Sequence, residues 1–184
     1  SLSTLVYFTE PITARFVALL SLNHDTYGSC AEFNLYNQPF VEDSTPQTTQ
    51  ISIDESTDLF WIDNKLNRTG WVVKANTEQG TDNDGPITNI LDGNPSTLWH
   101  SKYNDRGMHD DRDDPSDPFQ FTVDLQTAKT FTAFAYMPRT GSGQLNGKFR
   151  HYEFYYAQTQ DELNTKIQNN EFAAKNKVDH SSSL

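Results

Sequence analysis

The sequence predicts an all-β sandwich, on two local patterns and one compositional fact. Phe119 to Leu125 alternates Phe, Phe, Val and Leu with Gln, Thr and Asp, and Thr130 to Tyr136 sets Phe131 and Ala133 against Thr130 and Thr132. Period-two alternation of this kind marks strands with one buried face. Aromatic residues make up 12% of the chain against 35% for all hydrophobic residues, so the core must rest on rings more than on aliphatic bulk.

The elements follow in chain order. Thr4 to Phe8, Ala14 to Leu20 and Glu32 to Tyr36 are short runs rich in aromatic or β-branched residues, and each reads as a strand. From Asn37 to about Asn67 the composition shifts to Thr, Ser, Gln, Asp and Pro, with few core candidates before Phe60 and Trp61. Residues 37–67 therefore read as a linker between an N-terminal block, 1–36, and a longer block, 68–184. Arg150 to Tyr156 adds another strand. Only Asp161 to Asn169, with Leu163 and Ile167 four apart, reads as a helical turn or two. With 184 residues the chain has room for one β domain plus a linker.

Charge excludes some functions. A formal net charge of −11 opposes nucleic acid, whose affinity comes from Lys and Arg displacing counterions, and it disfavours anionic membrane surfaces. Cys30 is the one cysteine, which rules out an internal disulfide or a thiolate cluster and leaves it as a small apolar packer. No apolar run is long enough to span a membrane, and the first residues lack a signal-peptide pattern, so the chain reads as an internal fragment. The Asn67-Arg68-Thr69 sequon is too common by chance to fix a compartment.

The most informative segment runs from Ile90 to Ser101, where Asp92, Gly93, Asn94 and Pro95 force a tight turn before the apolar pair Leu98-Trp99. Asp92, Asn94 and Thr97 gather a carboxylate, a carbonyl source and a hydroxyl. That is an oxygen-only set suited to calcium, although an ordinary turn uses the same residues.

This segment resembles the signature turn of coagulation factor 5/8 type C, or discoidin-like, domains, with family 32 carbohydrate-binding modules as the nearest branch. Trp71 to Glu78 resembles the first strand and its loop. Phe121-Thr122-Val123-Asp124-Leu125 resembles a strand usually ending Asp-Leu-Gly, with Gln126 in place of that glycine. Ala135 to Arg139, Asn146-Gly147-Lys148-Phe149 and Tyr152-Glu153-Phe154-Tyr155 continue the match, while Ile12 to Leu19 and Ala31 to Tyr36 resemble the family's last two strands. Those two come first here. The resemblance thus implies a discoidin-like jelly-roll β-sandwich with permuted segment order. Residues 1–36 complete 68–184, within one chain or by exchange between two, after circular permutation or a cut from a tandem array.

The resemblance further implies a structural calcium held by the Asn89 carbonyl, the Asp92 side chain, the Asn94 carbonyl, Thr97, the Ala31 carbonyl and the Glu32 carboxylate. It implies sugar recognition by loops at one end of the sandwich, through Glu78, His100, Tyr103, Arg139, Asn146 and Tyr27. Taken singly, each has a duller explanation as a turn, rim or surface residue. The expected partner is a glycan ending in galactose or N-acetylgalactosamine, bound by a non-catalytic module. Such a module would be secreted or at the cell surface, and would target an attached extracellular enzyme or surface protein. The alternative is adhesion to protein or lipid, as other discoidin-like domains perform. Asp110 to Asp117 reads as a solvated acidic loop, since it lacks the glycine and terminal glutamate of a helix-loop-helix calcium site. No nucleophile elbow, zinc pair or phosphate loop supports an enzyme.

Overall fold

The computed structural model describes residues 2–22, 27–39, 50–80, 84–102, 118–141 and 146–177. Among these the strands are β1 (Leu2–Ser21), β2 (Ser29–Cys30), β3 (Glu32–Tyr36), β4 (Gln50–Asp54), β5 (Val72–Ala75), β6 (Asp84–Gly85), β7 (Leu98–His100), β8 (Phe119–Met137), β9 (His151–Ala157) and β10 (Ala174–Lys177). The helices are α1 (Leu59–Ile62) and α2 (Gln160–Gln168), and a 3₁₀ turn covers Ile87–Leu91. The larger sheet is ordered β10-β9-β1-β8-β3, with β4 added on β1 and β5 on β8, and a small sheet is ordered β2-β7-β6. The fold is the all-β sandwich that the alternation predicts.

β1 and β8 pair antiparallel from Thr4 opposite Tyr136 to Ser21 opposite Phe119, with register shifts between Tyr7 and Ile12 and between Ala14 and Phe16. At these shifts extra residues on one strand lie opposite few on the other, which bends both strands and folds the sheet onto itself. Ring contacts show the two halves facing each other. Phe33 of β3 meets Phe121 of the first half of β8 edge to face at 5.2 Å, and Phe134 of its second half stacks on Phe154 of β9 at 4.7 Å. The runs read from sequence as separate strands, 4–8 with 14–20 and 119–125 with 130–136, are therefore single bent strands. The polar residues between them serve the bend rather than a loop.

Gln126 sits in that bend with φ of 70°, a left-handed conformation that favours glycine. The family pattern places glycine at this position. Asp124 offsets part of the strain by accepting the Gln126 N–H through Oδ1 at 2.8 Å. Its two oxygens also hold Arg15 of β1, from Nε at 2.9 Å and Nη2 at 3.0 Å.

The linker reading of 37–67 gives way to ordered structure over 50–66. β4 pairs with the start of β1, Leu2 opposite Asp54 and Val6 opposite Gln50, and the chain then turns through α1 to bury Trp61 against Leu5, Tyr36, Ile53, Ala133 and Ala135. This strap covers the outer face of the β1-β8-β3 layer, which is why all five residues of β3 are buried. One of its acids, Glu55, is buried. The carboxylate accepts from Asn34 Nδ2 at 2.6 Å and Tyr36 Oη at 2.5 Å, and from the Ser3 hydroxyl; Lys65 Nζ lies 3.6 Å away.

At the other end α2 forms where Leu163 and Ile167 predict it. Thr159 caps it by accepting the Glu162 N–H, while Glu162 reaches back to the Gln158 N–H. Cys30 is fully buried, and that burial pushes its thiol well above the usual range. No helix among the described residues is long and apolar enough to cross a membrane.

Removing the Glu55 carboxylate leaves three donors of β1 and β3 without their acceptor. Glu55→Ala is expected to cost about 3–5 kcal/mol and Glu55→Gln about 1–3 kcal/mol, read as a lower urea midpoint at unchanged slope. A midpoint unchanged in both variants would show that the strap does not stabilise the sandwich.

Candidate functional site

Two groups of candidate residues lie on either side of β7. On one side is the turn that precedes it. Gly93 at φ 77° lets the chain reverse, and two side-chain oxygens brace the reversal: Asp92 Oδ1 accepts the Asn94 N–H at 2.7 Å, and Asn94 Oδ1 accepts the Ser96 N–H at 3.1 Å. Thr97 Oγ1 lies 2.6 Å from Asp92 Oδ2 and 2.8 Å from the Asn94 carbonyl, with one proton to give between them. Asn89 is buried in the 3₁₀ turn and donates from Nδ2 to the Leu98 carbonyl at 2.9 Å.

From the other block, Glu32 brings its carboxyl group into side-chain interaction range of Asp92. It follows Ala31, whose N–H donates to the Met137 carbonyl at 2.8 Å. The structure thus brings the turn residues and β3 together. Arg68 joins them: its Nη1 donates to Glu32 Oε2 at 2.7 Å, to the Phe33 carbonyl at 3.0 Å and to the Ile90 carbonyl at 3.1 Å.

The electrostatics of this cluster are incomplete. Glu32 is 4% exposed, and its Oε1 has no hydrogen-bond partner among the described residues. Burial first, and the neighbouring Asp92 second, push the Glu32 carboxyl up to about 7, although Arg68 pulls it down. A buried carboxylate oxygen with no donor, beside a second carboxylate, a hydroxyl and carbonyls, is a donor set that fits a hard cation such as calcium. No cluster of three or more His, Cys, Asp or Glu side chains placed for a metal occurs among the described residues, so a cation here would depend on carbonyl and hydroxyl oxygens as well as on Glu32 and Asp92.

On the other side of β7 lie the candidates for sugar contact. Ser29 of β2 pairs with His100 of β7, and Gly28 and Ser101 exchange backbone and hydroxyl hydrogen bonds, the Ser101 N–H to the Gly28 carbonyl at 2.9 Å and the Gly28 N–H to Ser101 Oγ at 3.0 Å. Ser29 in turn donates its N–H to the Gly147 carbonyl at 2.9 Å and its hydroxyl to the Asn146 carbonyl at 2.8 Å. The approach is tight. A Cβ on Gly147 would stand 2.9 Å from Ser29 N, and one on Gly28 would stand 2.9 Å from Phe119. Across β7, the Gln79 N–H donates to the His100 carbonyl at 2.8 Å, and Trp99 Nε1 donates to the Thr77 carbonyl at 2.9 Å.

These bonds draw the segments of Tyr27, Glu78, His100 and Asn146 to one end of the sandwich. Tyr27 lies against His100 with ring centroids 5.0 Å apart. His100 is itself buried, its Nδ1 2.5 Å from the Ser101 carbonyl. Glu78 is exposed and uses Oε2 to accept the Ile87 N–H at 2.9 Å. Arg139 follows the end of β8, and its buried Nε has no partner among the described residues. Thr140 ties that segment to the Asp92–Thr97 turn, donating to the Pro95 carbonyl at 2.9 Å. Tyr103 and the acidic run 110–117 lie outside the described residues.

Arg68 is the participant that sequence reasoning passes over. It stands in the sequence as the middle of a sequon, 36 residues from Glu32, and no spacing rule connects residues so far apart. The one available signal was general: a buried acid needs a cation nearby.

A braced Asp-Gly-Asn turn, a buried glutamate facing it and a polar end built from loops mark out a β-sandwich domain with two candidate sites. Residues 72–183 match the family model of the F5/8 type C domain, which covers more than half of the chain, and the chain belongs to that family. It is also similar to galactose oxidase of Gibberella zeae, 28% identical over 94 residues, which is 51% of this chain and 12% of that protein. A sialidase of Micromonospora viridifaciens is 30% identical over 84 residues, 46% of this chain and 12% of the relative. An A type blood N-acetyl-alpha-D-galactosamine deacetylase of Flavonifractor plautii is 34% identical over 83 residues, 44% of this chain and 9% of the relative. The match thus spans about an eighth or less of each relative.

The raised Glu32 carboxyl makes stability depend on pH in calcium-free buffer. The folded state holds this proton up to about 7 whereas the unfolded chain releases it near 4.5, so the folded state binds more protons between those values. Stability is therefore expected to fall as pH rises from about 4.5 to 7, by about 3 kcal/mol over the window. Glu32→Gln should flatten this part of the profile in urea titrations at several pH values. A wild-type profile that rises through the window would contradict the assignment.

Proposed function

We propose that this chain is a non-catalytic carbohydrate-binding module that recognises terminal galactose or N-acetylgalactosamine and carries one structural calcium. The observation that carries the reading is the gathering of Tyr27, Glu78, His100 and Asn146 at one end of the sandwich, with Arg139, whose Nε has no partner among the described residues, on the segment that contacts the Asp92–Thr97 turn. The chemistry suits a neutral sugar. Vicinal hydroxyls are bracketed by a carboxylate and a guanidinium, here Glu78 and Arg139, while Tyr27 offers a ring face to the C–H side of the pyranose. Support also comes from the relatives, three proteins whose names speak of galactose, sialic acid cleavage and N-acetylgalactosamine.

On this reading the module serves an attached extracellular enzyme or surface protein, and catalysis belongs to that partner. Within the chain, residues 1–36 act as the family's closing strands and 68–184 as its opening and middle part. The pairing of β1 with β8 and of β3 with β8 in one chain supports that arrangement. Affinity is expected to be weak, because a shallow site burying one ring desolvates few groups.

A glycan array followed by calorimetry tests the ligand. Arg139→Ala and Glu78→Ala are each expected to weaken galactose binding by about 10- to 100-fold, with a small drop in melting temperature for Glu78→Ala, because the Ile87 N–H loses its acceptor. Strong binding to lipid vesicles with no glycan signal would replace this reading by the adhesion one. For the metal, chelation is expected to lower the melting temperature by about 5–10 °C relative to calcium at a hundredfold excess over Kd. An unchanged melting temperature would count against calcium.

A further inference from the structure

Arg68 stands where the strap returns to the sandwich, and three acceptors share the two hydrogens of a single nitrogen of its guanidinium. Their acceptors come from two sides of the candidate cation site: Glu32 Oε2 and the Phe33 carbonyl from β3, and the Ile90 carbonyl from the 3₁₀ turn that leads into Asp92. The pair is well shielded, with the Arg68 side chain 15% exposed and that of Glu32 6%. Nη1 therefore already does part of what a bound cation would do, drawing carboxylate and carbonyl oxygens of separate segments toward one positive centre. It does so incompletely. Once Glu32 is ionised, one positive charge faces two carboxylates, and Glu32 Oε1 stays buried without a donor among the described residues.

We propose that Arg68 is an affinity-determining residue of this site: a resident positive charge that stabilises the metal-free fold and opposes the metal by repulsion across the shared Glu32 carboxylate. The inference rests on the calcium reading above. Two cations that each attract Glu32 and repel each other are anticooperative, and linkage makes the effect reciprocal. Removing Arg68 must then do two opposite things. The metal-free domain loses the counter-charge of a buried acid, which is strongly destabilising, whereas the metal gains a site with less opposing charge.

The three bonds share one nitrogen, so positive charge matters more than the planar fork, and a lysine ammonium should substitute in large part. The test uses calcium chloride alone as the probe, with calorimetry for affinity and thermal unfolding with and without chelator, on the wild type, Arg68→Lys and Arg68→Met. The expected result for Arg68→Met is calcium binding tightened by on the order of tenfold, a metal-free melting temperature lowered by on the order of 10 °C, and a larger rise on adding calcium than the wild type shows. Arg68→Lys should behave nearly as the wild type in all three readouts. If Arg68→Met is unfolded without metal, refolding on calcium addition, followed by circular dichroism, is the supporting result, and failure to refold overturns the proposal. Equal or weaker calcium affinity in Arg68→Met overturns it while leaving the calcium reading intact. Calcium binding by none of the three proteins removes both, and binding by Arg68→Met alone supports the proposal.

Discussion

The antiparallel pairing of β1 with β8 spans both halves of the sandwich, and every other described strand of the larger sheet is attached to one of the two or, through β9, to β1. About a hundred residues of sequence separate the partners, so this ladder forms only after a long closure that local contacts cannot reward in advance. Once formed, it sets both layers together, because the same two strands bend through the corner and supply each face. Phe8, Phe131, Phe134 and Phe154 then meet in one ring cluster, which is the aromatic core that a low aliphatic content requires.

The three buried glutamates among the described residues are held in different ways. Glu55 is surrounded by neutral donors with Lys65 at its edge. Glu153 accepts from Tyr155 Oη at 2.6 Å, and the Tyr155 hydroxyl is pushed upward by burial and by that acid. Glu32 alone of the three combines a full ion pair, a neighbouring carboxylate and an oxygen without a donor among the described residues. Structural acids are ordinarily satisfied throughout, whereas groups left short of partners concentrate at sites that take a ligand. The contrast makes Glu32 the candidate ligand among the three buried glutamates.

The parts of this structure legible in the sequence are those set by local periodicity or by turn chemistry. Phe119 to Leu125 alternates visibly, Leu163 and Ile167 mark a helix face, and Asp92-Gly93-Asn94 announces a reversal whose φ only glycine takes easily. What escaped was long-range. Nothing local in Gln50 to Asp54 says that it will add to β1, since its apolar Ile51 and Ile53 are short of a strand's usual length of evidence and its polar neighbours look like linker. Glu55 reads as one more surface acid until Ser3, Asn34 and Tyr36 are seen around it. In the candidate site the residues offered by the family pattern were nameable, but Arg68 was not, because its role depends on which two distant backbones approach it. The continuity of β1 through its bend was hidden for a related reason: a bulge breaks the period-two signal without breaking the strand.

The two candidate sites are joined by a short, stiff path. Thr97, at the end of the braced turn, is followed at once by Leu98, Trp99 and His100, whose strand is locked by the buried Trp99 indole and by Asn89 holding the Leu98 carbonyl. Thr140 closes a second connection by fastening the Arg139 segment to Pro95. Loops that bind small neutral ligands gain affinity chiefly by not having to be ordered at the moment of binding. On the proposed reading, a turn held rigid by oxygens, and by calcium where it binds, would therefore act on the end proposed to meet the sugar without touching the sugar. On that reading the route runs through β7 and Thr140, and loss of the proposed cation would register at Arg139 and His100 as lost positioning rather than as a lost contact.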